Sequence, residues 1–176
     1  MPVQQEIKSQ LAKLLATEDL VVEHRKVATA QFDVHKRVLT LPMWESASNN
    51  VYDLLVGHEV GHALFTPDED PPKGIPHSFI NIVEDARIEK LMKRKYPGMN
   101  KTFYRGYRNM NDDDFFSIVD EDVSSMNLAD RTNLYFKIGN FVDIEFNEEE
   151  MNIVRMVGDC ETFEEVGEAA RVLYNY

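Results

Sequence analysis

The segment LLVGHEVGHALFT, Leu54 to Thr66, constrains this chain more than any other, because it sets two histidines four residues apart within an apolar run. Four residues make just over one helical turn, so on a helix His58 and His62 stand one above the other on a single face. Val51, Leu54, Leu55, His58, His62 and Phe65 recur at three- and four-residue intervals, which predicts a helix over about 50–65. Ser46, Ser48, Asn49 and Asn50 offer N-caps, and Thr66-Pro67 stops the helix. Gly61 falls mid-helix, where glycine costs about 1 kcal/mol relative to alanine. Another element is therefore expected to approach closely at that position.

Two imidazoles one turn apart can reach the same ion. Cys160 is the only cysteine, which excludes an intrachain disulfide and a thiolate cage. Any metal must be held by imidazole and carboxylate, and zinc is the natural occupant, since it accepts neutral imidazole nitrogens in tetrahedral geometry. Glu59 is rotated roughly 100° from His58, so it stands beside the ion rather than on it. From there it can take a proton from a water whose pKa the metal lowers toward about 7, and pass that proton to a leaving amine. This is the H-E-x-x-H arrangement of zinc peptidases. Without a metal, the same two histidines would be ordinary hydrogen-bonded core or surface residues.

A catalytic zinc needs a third protein ligand, and FINIVEDARIE, Phe79 to Glu89, supplies the candidates. Glu84 follows His62 by twenty-two residues, enough for a loop to turn back and a second helix, predicted over about 78–95, to present a carboxylate. Glu84 is the favoured ligand and Asp85 the competitor, because one residue of helix phase exchanges them. The loser becomes an acceptor that orients a histidine N–H. Asn81 shares the Glu84 face and is placed to touch the site or substrate, while Ile88 packs. Arg87 is placed to pair with Glu84 or to bind a substrate carbonyl. His77 is a further, weaker ligand candidate at the helix entrance. Tyr104 and Tyr107, with Arg105 and Arg108, are the only dense downstream cluster of donors for an oxyanion; the alternative for such aromatics is core packing.

The remaining pattern predicts an α+β domain, mostly helical with a small β-hairpin. Ile7, Leu11, Leu14 and Leu15 give an amphipathic helix over 4–16, and VATAQFDVHKRVLTLP, Val27 to Pro42, reads as a hairpin broken near His35 and Lys36. Strand Val27–Val34 or Arg37–Leu41 is a candidate edge on which an extended peptide pairs. An acidic stretch from Asn109 to Ser125 reads as loop, followed by helices near 127–139, 147–158 and 162–175, the last opened by a Thr162/Glu165 capping box. At 176 residues one domain is expected.

The hairpin, HEVGHALFT and NIVEDARIE together resemble the gluzincin branch of zincin metallopeptidases, in which two helices supply His, His and Glu. More narrowly they are similar to a set of phage and bacterial peptidases related to the T subunit of aerobic cobaltochelatase. Members of that set commonly carry a von Willebrand A domain and partner a hexameric AAA+ ATPase. The resemblance covers about residues 27–95. It implies a zincin-like domain in which His58, His62 and Glu84 hold Zn2+ and Glu59 is the catalytic base, acting on a peptide or protein substrate. Two departures stand out. Many gluzincins place a carboxylate four residues after the third ligand to orient the first histidine, and four residues after Glu84 is Ile88. The D-x-S-x-S pattern of a von Willebrand A domain is also absent, so the chain is either a fragment ending before such a domain or a stand-alone member.

Two functions follow as expectations. One is a zinc-dependent endopeptidase. The other is a zinc-stabilised adaptor that recruits an ATPase or another protein. Net charge −12 argues against a nucleic-acid partner, and the basic run Lys90 to Lys95 reads as a solvated helix end. No window approaches the roughly 20 apolar residues of a membrane helix, and the N-terminal sequence lacks a signal-peptide pattern. A cytoplasmic location is expected, in the host cytoplasm if the chain is phage-encoded.

Overall fold

Val38–Pro42, apolar except for Thr40 and buried from Leu39 onward, is the centre of a small sheet, and most of the remaining chain is helical. The computed structural model describes residues 5–176. In chain order these form α1 (Gln5–Ala16), β1 (Val21–Arg25), β2 (Gln31–Asp33), β3 (Val38–Pro42), α2 (Asn49–Phe65), α3 (His77–Lys95), α4 (Met99–Asp112), a 3-10 turn (Val123–Ser125), α5 (Leu128–Ile138), α6 (Glu148–Asp159) and α7 (Phe163–Asn175). The fold is α+β, as the pattern predicts. Gln4, the first residue of the expected N-terminal helix, lies outside the described residues.

Contacts divide the chain into two compact units. The first contains the described residues up to Asp68 together with Ile88–Met110, and the second contains Glu69–Arg87 and Asn111–Tyr176. The helix α3 is unbroken across Arg87 and Ile88, so its two halves belong to different units.

In the first unit the strand order is β1-β3-β2, with β1 parallel to β3 and β2 antiparallel to it. The hairpin is present, but shorter than expected on its first arm, and β1 was not legible from the pattern. Because β3 is central, Arg37–Leu41 is not an edge; the edges are β1 and β2. The turn between β2 and β3 is closed by Arg37 N–H donating to the Asp33 carbonyl at 2.8 Å, with Arg37 at φ +58°. The Arg37 guanidinium also donates to Glu18 at 2.7 Å and to the Ala63 carbonyl at 2.7 Å. The second bond satisfies one of the carbonyls that the last turn of α2 leaves without a helical partner, and it ties the hairpin to that helix.

The face of α1 that packs holds only half of its expected apolar set, Leu11 and Leu15, both partly buried. Ala12 and Ala16 are buried together with Lys8, whereas Ile7 and Leu14 are exposed. Small side chains let α1 lie against α2, where Lys8 donates to Asp53 at 2.5 Å. Helix α2 is apolar almost all round and correspondingly buried. Ser48 caps its start by accepting from Val51 N–H at 3.2 Å, and Thr66 ends it with its N–H on the His62 carbonyl. Both glycines of GHEVGH serve close packing. A Cβ on Gly61 would lie 2.7 Å from Ile88 Cδ1, and one on Gly57 would lie 2.9 Å from Met99 Sδ.

Helix α4 occupies sequence that the pattern left unassigned, and it converts Asn109–Asp112 from expected loop to helix. Phe103, Gly106, Tyr107 and Met110 form its buried face, while Lys101, Tyr104, Arg105 and Arg108 lie exposed.

The second unit is built around Ile80 and Val83 of α3 and residues of α5, α6 and α7, including Leu128, Val154, Val157, Cys160, Val166 and Leu173. A full capping box forms at Asn147 and Glu150, and Arg131 clamps the same Glu150 carboxylate at 2.6 and 3.1 Å. Thr162 caps α7 as expected, but Glu165 reaches back to Glu161 N–H rather than to that of Thr162. Among the described residues no helix is long and apolar enough to cross a membrane.

The α2–α4 contact makes a direct prediction. A Cβ on Gly106 would lie 2.4 Å from Leu54 Cβ and 2.9 Å from the Asn50 carbonyl oxygen, whereas nothing lies within 4 Å of one on Gly98. Gly106→Ala should therefore cost about 1–3 kcal/mol, read as a fall in thermal midpoint, with Gly98→Ala as the silent control. Equal midpoints for the two variants would contradict this packing.

Candidate metal centre

His58 and His62 lie on one face of α2, with ring centroids 5.0 Å apart and planes at 74°. Each ring is anchored through Nδ1. His58 Nδ1 is 2.9 Å from Glu89 Oε1, and because a carboxylate only accepts, the proton sits on Nδ1 and the lone pair on Nε2. His62 Nδ1 is 2.8 Å from Thr66 Oγ1, one turn on, where the helix stops. The Glu89 carboxylate thereby gives His58 its Nδ1–H tautomer, whereas the Thr66 hydroxyl orients the His62 ring and can pair with either tautomer. Glu59, beside His58, is 7% exposed.

The acid of α3 that meets His58 in the first unit is Glu89. On α3, Asp85 is one turn before Glu89 and shares its helix face, whereas Glu84 does not. Lys137 Nζ holds Asp85 Oδ2 at 3.2 Å. Glu84 is turned about 100° away and is only 2% exposed. There Arg87 grips both of its oxygens, at 2.6 and 3.1 Å, and also donates to the Glu161 carbonyl at 3.2 Å. Glu84, the expected third ligand, is thus half of a buried ion pair with Arg87.

Several other expectations change with it. Asn81, four residues before Asp85, is exposed on the same helix face, and His77 is exposed at the first residue of α3. Tyr107 is buried and donates to Glu89 Oε1 at 2.5 Å, so its hydroxyl is committed there rather than to an oxyanion. Tyr104 is exposed on α4, outside the buried set of Phe103, Gly106, Tyr107 and Met110. Asp68 lies in the loop after α2 and accepts from His35 at 2.8 Å, with both side chains well exposed. That bond raises the His35 pKa above its usual value.

Glu89, Thr66 and Lys137 were missed as site residues. For Glu89 a signal existed: no acid stands four residues after Glu84, but one stands four residues after Asp85. Shifting the third ligand by one position restores the spacing in which a carboxylate orients the first histidine. Thr66 and Lys137 carry no comparable mark in the sequence.

The donor set fits zinc. Two neutral imidazoles and one carboxylate suit a borderline cation, whereas calcium and magnesium prefer oxygen alone. The rotated roles of the two neighbouring acids separate experimentally. Glu84→Gln should lower stability by about 3–5 kcal/mol by leaving a buried guanidinium uncompensated, yet retain zinc. Asp85→Asn should keep the fold and lose zinc. Thermal melts with metal analysis of both variants check this, and the reverse pattern would restore Glu84 as ligand.

Comparison with protein-family models, with curated proteins and with solved structures finds no match to this chain.

Proposed function

We propose that the chain is a zinc-dependent peptidase, with His58, His62 and Asp85 as metal ligands and Glu59 as general base. The observation that carries this reading is the pair of imidazoles on one face of α2, each bonded through Nδ1, beside a buried glutamate. A bound divalent cation supplies Lewis acidity, lowering the pKa of water and polarising a carbonyl.

The residues of the chain do the rest. Glu59 removes a proton from water as its oxygen adds to the carbonyl carbon of a peptide bond. The same carboxyl group then delivers that proton to the departing amine nitrogen as the C–N bond breaks, which regenerates the carboxylate. Glu89 and Thr66 keep both imidazoles in the ligating orientation. The edge strand β2, Gln31–Asp33, packs beside α2 and offers backbone groups to an extended substrate.

The test uses zinc-loaded full-length protein and a fluorescence-quenched library of unstructured peptides. Wild type should cleave, and a chelator should stop cleavage. Glu59→Gln should lower turnover by about 10²–10⁴-fold while retaining one zinc per chain. Cleavage by Glu59→Gln at the wild-type rate would remove Glu59 from the mechanism. Zinc-loaded wild type that cleaves nothing would overturn the peptidase reading and leave a zinc-stabilised adaptor of the kind that partners an AAA+ ATPase.

A further inference from the structure

Helix α4 supplies no metal ligand, yet one of its side chains reaches the site through a single intermediary. The Tyr107 hydroxyl donates to Glu89 Oε1 at 2.5 Å, and the same oxygen accepts from His58 Nδ1 at 2.9 Å. Tyr107 is 6% exposed and Glu89 4%, so neither has bulk water as a ready alternative partner. A carboxylate on a flexible side chain can turn either oxygen toward an imidazole or swing away, and each rotamer points the ring differently. Two donors on one oxygen remove that freedom, and charge-assisted bonds in a buried setting are the strong ones.

The tyrosine is itself well fixed. Its ring stacks on Phe103 with centroids 6.4 Å apart and planes at 21°, and the adjoining Gly106 seats α4 directly on Leu54 of α2. The position of the phenol oxygen is therefore set by helix packing rather than by the site it serves.

We propose that Tyr107 is a positioning residue for the metal centre: it locks Glu89, and Glu89 in turn holds His58 with its proton on Nδ1 and its Nε2 lone pair presented to the ion. This rests on the metal-site reading above. His62, anchored separately by Thr66, is outside the chain of bonds and serves as an internal control.

Tyr107→Phe removes the hydroxyl and keeps the stacked ring. Two measurements on the full chain read its effect: zinc affinity by competition with a chromophoric chelator, and histidine tautomers of the metal-free protein by long-range 1H–15N NMR. The variant should bind zinc about 10-fold more weakly, and His58 should shift from a single Nδ1–H tautomer to a mixture while His62 stays unchanged. Glu89→Gln should perturb the same two readouts from the other end of the chain and stands in if Tyr107→Phe does not fold.

Unchanged zinc affinity and an unchanged His58 tautomer in Tyr107→Phe, with wild type binding zinc, would overturn the proposal and leave the metal site standing. Equal disturbance of His58 and His62 would also overturn it, since that is the mark of general loosening. A wild-type chain that takes up no zinc but whose His58 tautomer responds to Tyr107→Phe would sustain the positioning chain and refute the metal reading instead.

Discussion

The seat of α3 on α2 at Gly61 is the contact on which the arrangement of the site depends. Ile88 and Met92 are fully buried there, and a Cβ on Gly61 would come within 2.7 Å of the first and 3.1 Å of the second. Once two side chains on one face of a helix are fixed, the direction of every other follows at about 100° per residue. That phase brings Glu89 to His58, with Asp85 one turn earlier on the same face of α3. It also turns Glu84 away, into the grip of Arg87. A glycine that costs helix stability in isolation here permits the close approach that defines which acid does what.

Each histidine solves the same orientation problem with different material. An imidazole that binds a cation must present a lone pair, so its other nitrogen has to hold the proton and have an acceptor for it. His58 uses a buried carboxylate, itself clamped by a tyrosine from α4, and His62 uses the hydroxyl of Thr66. Thr66 therefore does two jobs, since its backbone N–H also closes the last turn of α2 on the His62 carbonyl. The residue that stops the helix also orients the ring one turn back.

Local signals were read well where they were local in origin. Helix α2 begins at the Ser48 cap and ends at Thr66, and α3 ends at Lys95 ahead of Pro97-Gly98, because caps and prolines act on their own backbone. The close approach at Gly61 was legible for the same reason: an unfavourable residue in a strong helix needs a compensating neighbour. Long-range outcomes were not. Strand β1 is short and joins the sheet only by pairing with β3, seventeen residues downstream. On α1 the most buried positions are alanines and one lysine, with Leu11 and Leu15 only partly buried and Ile7 and Leu14 exposed, since close helix approach and the Lys8–Asp53 bond decide that contact, not hydrophobicity alone. In α4 the spacing of Phe103, Tyr107 and Met110 is helical, but Gly106 and the surrounding cations masked it.

The H-E-x-x-H spacing by itself determined that two imidazoles share a face and that Glu59 stands beside them, because a helix fixes those angles wherever it is placed. It also confined any metal to nitrogen and oxygen ligands, a matter of composition. Which acid of α3 meets His58, and which tyrosine holds that acid from behind, only the tertiary structure decided. The rotational phase of α3 comes from its packing against α2 at Gly61, and that phase turns Glu89 toward His58 and Glu84 into its buried pair with Arg87.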